Sequence, residues 1–197
     1  RVPMNPLVVI PARMASTRLP GKPLADIHGT PMIVHVWRRA IEADVGPVVV
    51  AAAERAIADA IRAAGGEAVL TEPDLPSGSD RIHLAAEQLD PGHRHDVIVN
   101  LQGDLPTLDP SVLHAVLAPL DCDDVDIGTV ATRIVDPAER DRPQVTKAVV
   151  GMPDDAAAGT IARALYFSRL PVPWGEGAHY HHIGIYAYRR AALARFV

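Results

Sequence analysis

Three cations and two hydroxyls crowd one short loop near the start of the chain. Arg13, Ser16, Thr17 and Arg18 lie between the apolar run Leu7–Ile10 and the turn at Pro20-Gly21, and Lys22 follows that turn directly. Arginine and lysine give charge-assisted hydrogen bonds to phosphate oxygens, and the backbone N–H groups of a turn form an anion-binding concavity. The loop therefore suits a polyphosphate, the alternative being a solvated loop with scattered arginines. It is not a dinucleotide fingerprint, because G-x-G-x-x-G is absent. Nor is it a Walker A loop: the first Gly of G-x-x-x-x-G-K-[ST] would fall on Ser16, and Pro23 stands where Ser or Thr would hold Mg²⁺. A phosphate loop of another kind is expected.

Two further segments carry candidate chemistry. Ser77-Gly78-Ser79-Asp80-Arg81 opens an apolar-periodic run. Ser77 or Ser79 either simply caps a helix or belongs to a second ligand loop in which Arg81 anchors a base or a phosphate. The residues alone leave both readings open. Asp104 follows the run Val97–Leu101, with Gly103 beside it. Mg²⁺ takes one or two carboxylates and fills the rest of its shell with water and substrate phosphates. One Asp facing the cationic loop would serve a metal–nucleotide complex; the plain alternative is an Asx turn. Zinc is not expected. In a strand His179 and His181 share one face and His182 takes the other, with no second cluster spaced to complete a tetrahedral site. The acidic stretch Asp121–Asp126 lacks the calcium-loop pattern. Cys122 is the single cysteine, which leaves no internal disulfide.

These candidates need elements to hold them. Leu7–Ile10 and Val48–Ala53 read as buried strands, Ala68–Leu70 as a short third strand and Val97–Leu101 as the clearest strand of all. Pro31 suits a first helical position. Met32, Ile33, Val36, Trp37, Ala40 and Ile41 then mark one apolar face. Glu54–Ala64 is an Ala-rich helix closed by Gly65-Gly66, and a helix after Arg81 runs to about Leu89. The order β-α-β-α-β implies a parallel sheet with right-handed crossovers, and such sheets bind ligands at the carboxyl ends of their strands. Beyond a helix at 110–120 and a strand at 127–135, Asp136–Pro143 reads as charged and irregular. Thr146–Gly151, Ile161–Phe167 and Ile183–Arg189 read as strands, the second of them an antiparallel return. A helix starts at Ala191. This change of rhythm suggests a lobe added to the parallel core.

Composition narrows the function classes. The chain has 197 residues, 48% hydrophobic and 22% charged, with net charge −5. That is enough for one domain with a sizeable core. The negative balance argues against general nucleic-acid binding. No apolar run reaches the ~18 residues of a membrane span, so membrane insertion is not expected. With no secretion signal read at the start, a cytoplasmic location is expected.

Residues 10–24, IPARMASTRLPGKPL, resemble the signature of the cytidylyltransferases that activate 3-deoxy-D-manno-octulosonate (Kdo). DIHGTPMIVHVWRRA (26–40), SGSDR (77–81), VIVNLQGDLP (97–106), ALYFSRLPVPW (164–174) and HHIGIYAYRR (181–190) resemble further motifs of that family, in the same order. The resemblance covers Leu7 to Val197. Sialic-acid cytidylyltransferases share much of the first motif; the pair ALYFSR and HIGIYAYR points to Kdo. Where the family commonly has Glu after Q-G-D, this chain has Leu105.

The resemblance implies a Rossmann-like nucleotidyltransferase: an α/β fold with a mostly parallel sheet flanked by helices. Residues 1–197 would form a single domain with a small antiparallel dimerisation lobe at about 130–175. It implies transfer of CMP from CTP to the anomeric hydroxyl of Kdo, for lipopolysaccharide synthesis, by a Mg²⁺-dependent homodimer. Arg13, Ser16, Arg18 and Lys22 would cradle the triphosphate. Pro11, Ala12, Ser77, Gly78 and Arg81 would frame the cytosine. Asp104 would bind the metal, and Gln102 would reach toward ribose or sugar. Arg169, His182 and Tyr186 would contact Kdo. Catalysis would rest on Lys22, Arg13, Arg18 and Asp104. Family members continue past Val197, and that tail is expected to carry a further metal ligand. Two readings stay open beside this one: a cytidylyltransferase for another sugar acid such as an N-acylneuraminate, and a truncated CTP-binding module without catalysis.

Overall fold

Branched aliphatic residues bury both faces of a strand, and the run Pro6–Ala12 does so almost without interruption: Val8, Val9 and Ile10 are fully buried. In the computed structural model, which describes residues 3–15, 19–153 and 155–197, this strand is β1. A small hairpin follows, β2 (Asp26–Ile27) and β3 (Thr30–Pro31), turned by His28 and Gly29 at positive φ. Helix α1 (Met32–Glu42) then leads to β4 (Val48–Ala52), α2 (Arg55–Ala63), β5 (Glu67–Leu70), α3 (Gly78–Leu89) and β6 (Val97–Asn100). After α4 (Ser111–Leu117) come β7 (Ile127–Arg133), α5 (Pro137–Arg140), β8 (Lys147–Val150), β9 (Ala164–Ser168), β10 (Tyr180–Arg189) and α6 (Arg190–Phe196).

The chain divides into two compact units, residues 1–128 with 185–197, and residues 129–184. In the first, β5, β4, β1 and β6 lie side by side and parallel, and the second half of β10 adds antiparallel to β6. The fold is thus the mostly parallel, helix-flanked sheet expected from the sequence. From β1 the chain steps outward to β4 and β5, then returns to β6 on the other side of β1. The loops after β1 and β6 therefore leave in opposite directions, and the crevice between them is the topological switch point where open α/β sheets bind ligands.

One core layer packs Leu7, Val9, Val49, Ala51 and Ile98 against Ile82, Ala85 and Ala86 of α3 and Leu193 of α6. Arg190 fastens this layer, donating to the carboxylate of buried Asp90 at 2.8 Å and to Glu87 at 2.9 Å. Helix α1 departs from its expected frame in two details. Pro31 is extended and precedes the helix rather than opening it, and Ile41 is 48% exposed, because Ile33, Val36 and Ala40 set the buried face.

The second unit is antiparallel: β8 pairs with β9, and with the first half of β10. The return strand begins at Ala164, later than the hydrophobic run suggested. The segment read as irregular contains α5, whose N-cap Asp136 accepts from the Ala138 N–H at 2.9 Å. Helices this short leave too little periodicity to be read from sequence. Among the described residues, no helix is long and apolar enough to cross a membrane.

Candidate nucleotide site

A cavity of about 840 Å³ opens at the switch point in the first unit. Its walls come from three loops. The end of β1 brings Pro11, Ala12 and Arg13, and the loop beyond brings Lys22. The start of α3 brings Ser77, Gly78 and Arg81. The loop after β6 brings Gln102, Gly103 and Asp104. Ser16 and Arg18 lie outside the described residues.

Backbone contacts fix the cationic loop at both ends. The Gly21 N–H donates to the Met14 carbonyl at 3.0 Å, and Gly21 has φ 73°, a conformation that glycine adopts without steric cost. The Met14 N–H donates to the Glu54 carboxylate at 2.9 Å. Glu54 precedes α2, but its side chain meets the cationic loop instead of capping its own helix. Sequence reasoning passed over Glu54; its position just past the carboxyl end of β4 was the available signal.

The loop after β6 approaches β1 closely. A Cβ on Gly103 would sit 2.9 Å from the Pro11 carbonyl oxygen and 3.2 Å from Ile33 Cδ1. Only glycine lets this loop lie flat there, and that placement sets Asp104 beside Lys22: Nζ donates to Oδ2 at 2.8 Å. Both side chains remain partly exposed, at 32% and 45%. The Lys22 ammonium thus stands where a cation would sit against Asp104.

At α3, Ser77 is the N-cap and its Oγ accepts from the N–H groups of Ser79 and Asp80 at 3.1 and 3.3 Å. Ser77 is therefore the cap, and the same residue also lines the cavity, so the two local readings do not exclude each other. Arg81 is 2% exposed. Its guanidinium donates to Thr71 Oγ1 at 2.6 Å, to the Glu72 carbonyl at 2.8 Å and to the Pro73 carbonyl at 2.9 Å. Burial pulls its pKa down, and nearby Glu54 works against that pull. Arg81 therefore holds the loop after β5 in shape at the cavity edge.

The sequence comparisons agree with one another. A family model described as cytidylyltransferase matches residues 7–197. The 3-deoxy-manno-octulosonate cytidylyltransferase of Parvibaculum lavamentivorans is 64% identical over 98% of this chain and 73% of its own length. That of Rhodospirillum rubrum is 63% identical over 98% and 75%. The chain belongs to the 3-deoxy-manno-octulosonate cytidylyltransferase family. A solved structure of CMP:2-keto-3-deoxy-manno-octonic acid synthetase complexed with CTP superposes with a TM-score of 0.84 at 37% identity, covering 98% of this chain and 77% of that one.

The residues expected on the sugar side are not among those lining this cavity. Tyr186 is in the first unit, opposite Asn100 and stacked on Tyr188 with ring centroids 5.7 Å apart. Burial pushes its phenol pKa up. His182, in the second unit, pairs with Thr129 Oγ1 through Nε2 at 2.9 Å and lies 4.7 Å from the Phe167 ring. Burial, helped by His181, pushes its pKa down and favours the neutral imidazole. Arg169 is exposed, and its Nη1 donates to the Pro143 carbonyl at 3.1 Å. The three histidines do not converge. His179 Nε2 meets the Pro173 carbonyl at 2.9 Å, and His181 Nδ1 meets Glu139 at 2.9 Å. Among the described residues no three potential ligands cluster for a metal. Lys147, fully buried in β8, is a residue the sequence reading located in a strand without giving it a role.

Proposed function

We propose that the protein transfers CMP from CTP to the anomeric 2-hydroxyl of 3-deoxy-D-manno-octulosonate, giving CMP-Kdo and pyrophosphate. The observation that carries this reading is the cavity at the switch point, lined by Arg13, Lys22 and the Gln102–Asp104 loop, with Lys22 bonded to Asp104. The hydroxyl oxygen attacks the α-phosphorus in line. A new phosphorus–oxygen bond forms, the bond to the bridging α,β-oxygen breaks, and pyrophosphate leaves with that electron pair. The hydroxyl proton is lost to solvent. Arg13 and Lys22, joined by Arg18, neutralise charge that grows on the leaving pyrophosphate. Pro11, Ala12, Ser77 and Gly78 frame the base, with Arg81 bracing that wall. Ser16 adds a hydroxyl to the triphosphate side, and Gln102 reaches ribose or sugar.

Asp104 fits Mg²⁺ arriving with the nucleotide. It is a partly exposed carboxylate already matched to a cation in Lys22, and a metal held mainly by phosphates needs few protein ligands. When bound, the ion supplies charge neutralisation on the phosphates.

Arg169 suits the sugar carboxylate, since a guanidinium offers a planar fork to two oxygens. His182 and Tyr186 supply further sugar contacts. A homodimer is supported by the apolar side chains left exposed in the second unit: Leu165, Tyr166, Phe167, Leu170 and Trp174. The lobe at about 130–175, within the second unit, takes that dimerising role, and the enzyme works in the cytoplasm, where CTP is made.

Pyrophosphate release tests the reading. With CTP and Mg²⁺, Kdo should drive release and N-acetylneuraminate should not. Turnover with N-acetylneuraminate alone would overturn the sugar assignment, and CTP binding without turnover on either sugar would overturn the catalytic one.

A further inference from the structure

A lysine with no solvent exposure is costly unless its ammonium is fully hydrogen-bonded. Lys147 is such a residue, and three backbone carbonyls converge on Nζ: Val145 at 2.6 Å, Arg169 at 2.7 Å and Arg142 at 3.0 Å. An ammonium has three donors, so each finds one acceptor. Two of these carbonyls bracket the bend from residue 142 to 145. The third belongs to Arg169, whose side chain donates back to the Pro143 carbonyl inside the same bend. Lys147 also lies opposite Ser168 in the β8–β9 ladder, next to Arg169 in sequence. The contacts close a ring: the ammonium fixes the bend and the Arg169 backbone, and the bend fixes the Arg169 guanidinium.

We propose that Lys147 is a positioning residue for the sugar acid, setting Arg169 through this carbonyl clamp. The inference rests on the reading of Arg169 as the carboxylate contact. Lysine suits the task because its compact ammonium distributes three donors at the end of a flexible stem. A neutral amide would offer only two donors to these three carbonyls. Lys147 itself, being buried, touches no substrate. Its effect should therefore appear in the affinity for the sugar and not in that for CTP.

A double-mutant cycle tests this, with KM for Kdo and for CTP measured separately on Lys147→Met, Arg169→Ala and the pair. Lys147→Met should raise the Kdo KM about tenfold and leave the CTP KM within about twofold. The double variant should be no worse than Arg169→Ala alone, because both changes remove one function. Multiplying effects on the Kdo KM, or a CTP KM that rises in step with it, would mean general structural support and overturn the proposal. If Lys147→Met fails to fold, Lys147→Gln takes its place under the same criteria. A normal Kdo KM in Arg169→Ala would instead refute the carboxylate assignment itself. That outcome is separable from failure at Lys147, which leaves the Arg169 effect standing.

Discussion

Glycine and buried strands do most of the shaping at the candidate nucleotide cavity, whereas charged side chains clamped onto carbonyls do most of it in the Arg169 region. In the first unit, Val8–Ile10, Val50–Ala52 and Val97–Val99 are fully buried, and glycines let the loops they carry lie close, with Glu54 and Arg81 adding one side-chain brace each. Gly21 closes one loop and Gly103 lays another against the Pro11 carbonyl. In residues 129–184, β9 leaves Leu165, Tyr166 and Phe167 exposed, and order comes from Lys147, Arg169 and His179, each bonded to loop carbonyls. A packed parallel sheet fixes its loop starts by steric fit, so small residues decide the site. A thin antiparallel unit lacks that support, and long polar side chains supply it.

Three substitutions put the contrast to work. The largest effect is expected at Asp104. Asp104→Ala should lower kcat about 10³-fold with an unchanged melting temperature, because the carboxylate is partly exposed and bears no core load. Near-normal turnover would remove it from the metal role. Gly103→Ala should come next, since its Cβ would press on backbone; a loss of about 1–3 kcal/mol in chemical denaturation is expected, with a raised CTP KM. Gly151→Ala, in the second unit, should do least. Its Cβ would meet the Arg163 carbonyl oxygen at 3.9 Å, an ordinary contact, and stability should stay within about 0.5 kcal/mol. Equal sensitivity at the two glycines would break the contrast.

The parallel core was legible because its strands are unbroken aliphatic runs and its helices keep strong periodicity. Pro11–Lys22, Ser77–Arg81 and Gln102–Asp104 could be picked out because each follows a strand or opens a helix, and the fold brings those points together. What escaped were couplings between distant positions. The Glu54 carboxylate on the Met14 N–H spans 40 residues, and Lys147 on the Arg169 carbonyl spans 22. Nothing local to Glu54 marks its target. Lys147 did carry a signal, a lone charge at the head of an apolar strand, yet its acceptors are backbone carbonyls with no sequence identity. The acceptors of Arg81 were hidden for the same reason.

The central claim, that the nucleotide is held by the loops of the first unit, is tested most directly by amide hydrogen exchange with and without CTP and Mg²⁺. Peptides covering Pro11–Lys22, Ser77–Arg81 and Gln102–Asp104 should gain protection, while those covering Ala164–Leu170 should change only when Kdo is added. Protection by CTP confined to residues 129–184, with the three loops unchanged, would contradict the account.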